Sequence, residues 1–300
     1  MTIEQQLEKG FGLENPVCNN LHTPANDVIE VTTPDGHYAL KLYNVASRKA
    51  KDVQWELDLI LHLLKNGAPV VRPVAGRGGY LQNFTIDGQD RATVLFEWAA
   101  GEKPKAESST YVLLGRAAAL IHKAADTFTS ELPRVKYDAT TLIDEQQERM
   151  KQPLIESGQW QRVSDLTERL RKIVTNPALD WGVCHMDLTL DNVHRSGDKL
   201  TVFDLDSSGE SWRAIEPWGI KKLSEDYFQA WLEGYRSVRG FSGNDEKAAA
   251  AFGIVGDIRS VVWKLGFARS SRGKPLLQTE ELPQVVDAWL EWEKDKISMI

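Results

Sequence analysis

Several features that would place the chain in a specialised class of protein are missing from its sequence. Only two cysteines, Cys18 and Cys184, occur in 300 residues, too few and too far apart for a disulfide framework or a zinc site. The longest apolar stretch, residues 248–267, contains charged residues and is not a membrane span. The N-terminal sequence has neither the basic start nor the apolar centre of a signal peptide. A cytoplasmic protein without a membrane partner is therefore expected.

Excess positive charge is missing as well. Lysine and arginine total 36 against 43 aspartates and glutamates, giving a net charge of −7. A general nucleic-acid binder would show a basic face, so no nucleic-acid partner is expected. Nucleotide binding stays compatible with this charge, because a divalent metal brings its own positive charge. The 42% hydrophobic and 26% charged residues describe a globular chain with ample core, as one large domain or two lobes.

The segment from residue 185 to residue 206 holds the most specific chemical signal. It reads His185-Met-Asp187-Leu-Thr-Leu-Asp-Asn192, and Asp204 follows after a short hairpin. In phosphoryl transfer, one carboxylate orients the attacking hydroxyl, while an amide oxygen and a second carboxylate hold Mg²⁺ on the nucleoside triphosphate. The turn at residues 196–199 and a strand at residues 200–204 should bring Asp204 beside Asn192. The alternative is a surface hairpin whose acidic residues face water.

The order of predicted elements indicates an α+β fold with two lobes. Two antiparallel hairpins are expected early in the chain, at residues 28–43 and 80–98, the second turning at residues 87–90. A helix over residues 47–65 lies between them, with an apolar stripe of Val53, Leu57, Ile60, Leu61 and Leu64. Later segments are helical: residues 111–125, 141–150, 161–175 and three stretches after residue 221. We therefore predict a small lobe of antiparallel strands with one main helix over residues 1–98. A larger, mostly helical lobe, which includes the 185–206 segment, would span residues 99–300.

Two further positions suit a nucleotide site. Lys41 lies in a predicted strand and either faces outward from an edge or reaches the α- and β-phosphates, steered by Glu56 fifteen residues later. A short hinge is predicted near residues 98–101, where the two lobes join. Backbone groups of Glu97, Trp98 and Ala99 lie at this hinge and either read a base or only pack a strand. No Walker A or Gly-x-Gly-x-x-Gly sequence occurs, and the predicted loop at residues 18–26 has no glycine. Polar side chains and backbone N–H groups would have to cover phosphates there.

Several motifs occur in an order that resembles the aminoglycoside phosphotransferase and choline kinase-like family, relatives of protein kinases. They are Tyr38-Ala-Leu-Lys41, Trp55-Glu56-Leu, Leu95-Phe-Glu-Trp-Ala-Ala-Gly101, Leu114-Gly-Arg-Ala-Ala-Ala-Leu-Ile-His122, the 185–206 segment and Asp257-Ile-Arg259. The resemblance runs from about residue 26 to residue 272.

The resemblance implies a role for each matching position. Asp187 becomes the catalytic-loop base, with Asn192 and Asp204 as Mg²⁺ ligands. Lys41 contacts phosphates with Glu56 as its ion-pair partner, and residues 97–99 form the adenine hinge. His185 is a structural member of the loop, and Asp206 assists at the metal or supports the loop. Two positions depart from the family: Met186 stands where glycine is usual, and Glu216 where an aspartate usually braces the catalytic loop.

The function that this resemblance implies is a kinase that moves the γ-phosphoryl group of ATP or GTP, with Mg²⁺, to a small hydroxylated acceptor. Residues 1–98 would then bind the nucleotide, and residues 99–300 would carry the catalytic loop and the acceptor site. An acidic approach formed by Asp144, Glu145, Glu148 and Glu210 would favour a cationic acceptor such as an amino alcohol or aminated sugar. The same residues fit an ordinary solvated face equally well. A Ser/Thr protein kinase and a catalytically weak nucleotide-binding regulator stay open as alternative functions. The sequence does not predict the oligomeric state.

Overall fold

The structure is a computed structural model, and it describes residues 1–21, 26–45, 48–266 and 275–297. The chain folds into two compact units, neither of which is one continuous segment. Unit 1 comprises Met1–Lys105, Lys123–Arg134 and Leu190–Ser208, and unit 2 comprises Ala106–His122, Val135–Thr189 and Gly209–Ile300. The division of function at residue 98 stays a prediction.

Unit 1 is built on a five-stranded antiparallel sheet with the strand order β1-β2-β3-β5-β4. The strands are β1 (Val17–Leu21), β2 (Asp27–Thr33), β3 (Gly36–Leu42), β4 (Gln82–Ile86) and β5 (Gln89–Glu97). Helices α1 (Ile3–Phe11) and α2 (Ala50–Lys65) accompany the sheet. An apolar core of Leu7, Ile29, Val31, Leu40, Leu42, Phe84 and Leu95 unites the sheet with α1. Antiparallel pairing of β2 with β3 confirms the first predicted hairpin.

Several local predictions for unit 1 need correction. The second hairpin turns at two residues, Asp87 and Gly88, rather than four, because both have positive φ (51° and 78°) and Ile86 pairs with Gln89. Such a two-residue turn matches the right-handed twist of the strands that it joins. Residues 18–21 of the predicted glycine-free loop belong to β1, and residues 22–25 lie outside the described residues.

Helix α2 begins at Ala50, three residues later than predicted, and the predicted start at residue 47 lies outside the described residues. It ends at Lys65 as predicted. Leu61 and Leu64 of the predicted stripe are only half-buried, whereas Trp55, Leu59 and Leu63 are buried. More than one face of the helix is therefore covered by protein, and Glu56 lies inside the covered surface.

A small hairpin of β7 (Val193–Ser196) and β8 (Lys199–Val202) also belongs to unit 1. Its second strand ends at Val202, so the prediction that the strand continues to Asp204 is wrong. Asp204 follows in the left-handed conformation, which no regular strand contains.

Unit 2 is mostly helical and has one two-stranded ribbon, β6 (Trp181–Cys184) with β9 (Gly209–Trp212). Its helices are α3 (Ser108–Ala125, whose last turn belongs to unit 1), α4 (Glu145–Glu156), α5 (Trp160–Val174), α6 (Trp218–Leu223), α7 (Glu225–Arg236), α8 (Gly243–Gly266) and α9 (Leu282–Lys296). A π-helical turn at Thr140–Asp144 precedes α4. The predicted helices are present with shifted ends. No helix among the described residues is long and apolar enough to cross a membrane.

Helices α3 and α7 meet backbone to backbone through two glycines. A Cβ at Gly115 would lie 1.9 Å from the Trp231 carbonyl oxygen, and a Cβ at Gly234 would lie 1.9 Å from that of Val112. Any larger residue would force the helices apart. This close approach brings the side chains of His122 and Tyr235 within hydrogen-bonding distance.

Candidate active site

One buried ammonium group of unit 1, that of Lys41, lies among three carboxylates. Lys41 Nζ lies 2.5 Å from Asp204 Oδ1, 3.5 Å from Asp206 Oδ2 and 3.7 Å from Glu56 Oε1. Strand β3, helix α2 and the segment after β8 each supply part of this cluster. The predicted pairing of Lys41 with Glu56 is therefore present in the fold, and the alternative of an outward-facing edge lysine does not hold.

Burial and charge act against each other on Lys41 and Glu56. Burial by itself lowers the pKa of Lys41, but Glu56 and the other acidic neighbours outweigh it and hold that pKa well above its usual range. Burial raises the pKa of Glu56 to about 7 even though Lys41 opposes the shift. The Tyr43 hydroxyl donates a 2.9 Å hydrogen bond to Glu56 Oε1. The lysine is thus a fixed positive charge, directed by its neighbours.

The side chain of Asp204 is accessible to a metal ion or a phosphate group. Its φ and ψ of 62° and 54° are left-handed, a conformation that aspartate tolerates better than most residues. Its side chain is 39% exposed, in contrast with 10% for Asp206. The backbone N–H of Phe203 donates to the Asn192 carbonyl at 3.0 Å, so the base of the β7–β8 hairpin sets Asn192 next to the residue preceding Asp204.

The contacts of Asp206 fit a residue that supports the loop. Asn26 Nδ2 donates to Asp206 Oδ2 at 2.8 Å, and Arg48 Nη2 lies 3.7 Å from Asp206 Oδ1. Burial would raise the pKa of this carboxyl, but Lys41, Arg48 and Asn26 together lower it to about 2. Both carboxylate oxygens therefore already have protein partners.

Arg134 is a residue of this region that no sequence motif indicated. Its guanidinium donates to the backbone carbonyls of Ser208 (2.7 Å), Asp206 and Asp52 (3.3 Å), and lies 4.7 Å from the centroid of the Trp55 ring. One side chain thus ties the segment after Asp204 to the first turn of α2.

Replacing Arg134 by methionine should therefore destabilise unit 1. Three carbonyls would lose a charged donor, and we expect a loss of about 3 kcal/mol in the free energy of unfolding. Urea denaturation of the wild type, Arg134→Met and Arg134→Lys measures it. The lysine variant should recover little, because a point charge cannot span three carbonyls. A loss below about 0.5 kcal/mol, the size of an ordinary surface substitution, would contradict this role.

Asp187 lies in unit 2, on the loop after β6. His185 is only 1% exposed, and its Nδ1 accepts a 3.3 Å hydrogen bond from the Asp187 N–H. The N–H of Thr189 donates to the Asp187 carbonyl at 3.0 Å, which makes a tight turn. The Asp187 residue is exposed, which its predicted role as a base requires. His185 is thus a structural member of the loop, as the resemblance implied.

Met186, which stands where glycine is usual in the family, has a backbone conformation that suits glycine. Met186 has a φ of 69°, a left-handed conformation that is costly for a side chain of this kind. Its N–H donates a 2.8 Å hydrogen bond to Glu216 Oε1, and its side chain is 4% exposed. Glu216 therefore braces the loop as the family's aspartate would.

Two substitutions at Met186 should separate backbone strain from side-chain burial. Met186→Ala and Met186→Gly remove nearly the same buried volume, but only glycine adopts positive φ without cost. We expect the glycine variant to be more stable than the alanine variant by about 1 kcal/mol, the reverse of their order in a helix. Thermal unfolding of both variants measures this difference. Equal stability, or a more stable alanine variant, would mean that the left-handed conformation is not maintained in solution.

The end of β5 carries the predicted hinge. Trp98 stacks on His37 with ring centroids 4.1 Å apart, and His194 Nδ1 donates to the Ala99 carbonyl at 2.8 Å. The Glu97 N–H bonds the Arg72 carbonyl, so by strand alternation the Glu97 carbonyl and the Ala99 N–H point to that same edge. The Ala99 N–H has no hydrogen-bond partner among the described residues.

The predicted acidic approach to the acceptor does not persist, because each of the four acids has a basic partner. The pairs are Asp144 with Arg171, Glu145 with Arg149 (3.8 Å), Glu148 with Lys151 (3.1 Å) and Glu210 with Lys136 (3.0 Å). Their charges are locally compensated. The ordinary solvated face is the better description, and acidity of this surface gives no argument for a cationic acceptor.

The residues of unit 1 fit a divalent cation and a nucleotide. The carboxyl groups of Glu56, Asp204 and Asp206 lie beside the cations of Lys41 and Arg48, so the cluster is rich in oxygen donors. Mg²⁺ prefers carboxylate and amide oxygens of the type that Asp204 and Asn192 supply. The structure brings Lys41, Glu56 and Asp204 together, and the hinge residues lie in the same unit. Asp187 belongs to unit 2.

Comparison with known proteins agrees with this arrangement. The model of the phosphotransferase enzyme family matches residues 24–251. An uncharacterized protein of Deinococcus radiodurans is 29% identical over 269 residues, which cover 82% of this chain and 76% of that protein. A homoserine kinase of Janthinobacterium sp. is 26% identical over 236 residues, covering 73% and 70%.

Two solved structures share the fold across nearly the whole chain. An amicoumacin kinase, solved with AMP-PNP and Ca²⁺, superposes with a TM-score of 0.76 at 18% identity and covers 98% of this chain and 93% of its own. A microcompartment-associated aminopropanol kinase gives 0.74 at 18% identity, with 97% and 94% covered. The predictions of an α+β kinase-like fold and of a phosphotransferase are confirmed. This chain belongs to the phosphotransferase enzyme family.

Proposed function

We propose that the protein transfers the γ-phosphoryl group of ATP to a hydroxyl of a small molecule, with an amino alcohol or an aminated sugar as the acceptor class. The observation that carries this proposal is the buried Lys41–Glu56 pair, whose ammonium group also contacts Asp204. A lysine held this way can donate to phosphate oxygens without leaving its partner. The alternative of a surface hairpin with solvated acidic residues does not account for this pair, because burying charged groups is costly.

Each candidate residue takes one role in the transfer. Asp187 accepts a hydrogen bond from the acceptor hydroxyl and takes its proton as the bond from oxygen to phosphorus forms. The bond between the β–γ bridging oxygen and the γ-phosphorus breaks, and ADP leaves. Lys41 donates to the α- and β-phosphates and Glu56 fixes its direction. Asn192 and Asp204 would hold Mg²⁺, which neutralises phosphate charge when bound. Positioning and electrostatic stabilisation supply most of the catalysis.

The hinge favours adenine over guanine. A purine at the end of β5 would meet an acceptor, the Glu97 carbonyl, and a donor, the Ala99 N–H. Adenine presents a matching amino donor and ring-nitrogen acceptor on one edge, whereas guanine presents a carbonyl acceptor and an N–H donor in the reversed order. Trp98 lies between the two residues and stacks on His37, so its side chain stiffens the segment. ATP is therefore proposed over GTP.

The acceptor class is supported by relatives rather than by an identified pocket. Among proteins similar to this chain are a homoserine kinase and an aminopropanol kinase, whose named substrates carry both an amino group and a hydroxyl. The compensated acidic face described above gives no independent support. The predictions that residues 1–98 bind nucleotide, that residues 99–300 bind the acceptor, and that the protein is cytoplasmic belong to this proposal.

An ATP-consumption screen tests the function. Purified protein, ATP and Mg²⁺ are incubated with homoserine, aminopropanol, ethanolamine, aminated sugars and non-aminated hydroxy compounds, with Asp187→Asn protein as the blank. We expect ADP formation that depends on one acceptor and a product heavier by one phosphoryl group. Phosphate on the protein alone would indicate a protein kinase. Mg-ATP binding without turnover on any acceptor would indicate a regulator.

A further inference from the structure

A line of buried polar side chains in unit 2 leads from helix α7 to the loop that carries Asp187. The Tyr235 hydroxyl lies 2.8 Å from His122 Nδ1, and His122 Nε2 lies 3.6 Å from Glu216 Oε2. The other oxygen of Glu216 accepts the Met186 N–H at 2.8 Å. Both His122 and Tyr235 have exposures of 0%, and Glu216 is 5% exposed.

Charge fixes the direction of the hydrogen bonds in this line. Burial alone would raise the pKa of Glu216, but contact with His122 and the Met186 N–H lowers it, so the group is an ionised acceptor. Burial lowers the pKa of His122, and Arg213 and Arg239 lower it further against the opposing effect of Glu216. The imidazole is therefore neutral. Its Nε2 carries the proton toward Glu216, and its Nδ1 accepts from the Tyr235 hydroxyl.

Neither His122 Nε2 nor Glu216 Oε2 forms a hydrogen bond among the described residues, although both atoms are buried. At 3.6 Å the two atoms lie just beyond hydrogen-bonding distance, and they attract each other as a donor and a charged acceptor. Removing the imidazole would take this attraction away, and the Glu216 carboxylate would be free to turn toward another donor and to release the Met186 N–H.

The same cluster does not suit a metal ion. Cys184 Sγ lies within 4.8 Å of the His122 and Glu216 ligand atoms, but it faces the carbonyls of Gly182 and Ser211. Burial raises the pKa of this thiol well above its usual range, so it keeps its proton. Arg213 Nη2 donates to the His122 carbonyl at 3.3 Å and already brings a positive charge.

We propose that His122 is a positioning residue for catalysis, which acts through Glu216 to hold Met186 in its left-handed conformation and thereby to orient Asp187. This deepens the proposed function, on which it rests. Methionine disfavours this conformation by about 1–2 kcal/mol. Without the brace the loop would leave the aligned state, and turnover would fall by a corresponding factor of about 5–30.

The test is a rescue experiment on turnover. His122→Phe keeps an aromatic ring but removes both nitrogens, and we expect kcat to fall about tenfold while KM for ATP stays unchanged. Adding Met186→Gly should restore most of the lost kcat, because glycine adopts positive φ without the brace. Met186→Ala in the same background is the matched control and should restore nothing. A packing role of His122 alone would not distinguish glycine from alanine.

A second variant keeps the test decisive if His122→Phe does not fold. Tyr235→Phe leaves the imidazole in place but removes the donor to Nδ1, so a smaller loss of about two- to fivefold in kcat should appear and respond to Met186→Gly in the same way. Unchanged kcat in both variants, or equal rescue by alanine and glycine, would overturn the proposal. Stoichiometric zinc in the wild type that is lost in Cys184→Ser would overturn it in favour of a metal site.

Hydrogen exchange separates failure of this proposal from failure of the kinase assignment. If the wild type phosphorylates no acceptor, the kinase assignment fails, but exchange of the Met186 N–H still reports on the brace. We expect exchange in His122→Phe to be at least about tenfold faster than in the wild type, while amide groups of α8 keep their protection. Equal exchange at Met186 in both proteins would overturn the positioning role whatever the activity.

Discussion

Asparagine in place of Asp187 should lower turnover at least about 10²-fold while ATP still binds. The lower limit is the usual loss when a general base is removed, since asparagine keeps the size of the side chain but cannot take a proton. The change should leave the fold intact, because the loop is held by backbone contacts. Asp187 donates its N–H to His185, and its carbonyl accepts from Thr189.

Isothermal titration with Mg-ATP and a coupled assay for ADP measure the two halves of this prediction. Asp198→Asn is the matched control, the same replacement at an exposed position of the turn between β7 and β8. That variant should keep wild-type turnover. Full turnover in Asp187→Asn would remove Asp187 from the role of base, and lost nucleotide binding would show that it has a different role.

Methionine in place of Lys41 should abolish most activity and also destabilise the protein. The phosphates would lose their buried donor, so turnover should fall at least about 10²-fold. Glu56, 1% exposed, would keep Tyr43 as a donor but lose its cation, with Asp204 and Asp206 close by. Breaking a buried ion pair by removing one partner costs about 3–5 kcal/mol.

The loss of stability in Lys41→Met should grow with pH. Burial already raises the pKa of Glu56 to about 7 in the wild type, so the folded state binds this proton more tightly than the unfolded chain does. Stability from this group is therefore present at low pH and declines as pH rises from the ordinary carboxyl pKa toward 7. Without Lys41 the pKa of Glu56 rises further, so the decline should extend above pH 7.

A double variant separates stability from function. In Lys41→Met with Glu56→Gln, the neutral amide still accepts the Tyr43 hydroxyl and no buried charge is left unpaired. Denaturation at pH 6 and pH 8 should show regained stability and a flat pH dependence, while turnover stays as low as in Lys41→Met. Equal stability of Lys41→Met and the wild type at pH 8 would contradict the burial of the pair.

Local sequence signals predicted the hairpins and α2 because their determinants are short-range. Asp87-Gly88 specifies a turn by its own backbone preferences, and Asn66-Gly67 ends a helix in the same way. The spacing of Lys41 and Glu56 left their pairing open, and the family resemblance was needed to predict it. The prediction of an acidic approach to the acceptor was wrong, partly for a reason that is visible in the sequence. Glu145 with Arg149 and Glu148 with Lys151 have the spacing of ion pairs on one face of a helix.

Other features depend on contacts between distant parts of the chain. Arg134 clamps the segment after Asp204 through backbone carbonyls, and carbonyls leave no trace in a sequence pattern. The left-handed conformations of Met186 and Asp204 are imposed by tertiary hydrogen bonds and the hairpin end, against the preference of methionine in particular. The line from Tyr235 through His122 to Glu216 requires the close approach of α3 and α7 at two glycines.

Following the γ-phosphoryl group tests most directly whether the protein transfers it to the hydroxyl of a small molecule. ATP labelled in its γ-phosphoryl group is incubated with the wild type and the acceptor that the screen identifies, and the label is followed by mass spectrometry. Label should appear on the acceptor hydroxyl with one ADP per product, and should be nearly absent with Asp187→Asn and Lys41→Met. Label found only in inorganic phosphate or only on the protein, across every small acceptor, would contradict transfer to a small-molecule hydroxyl.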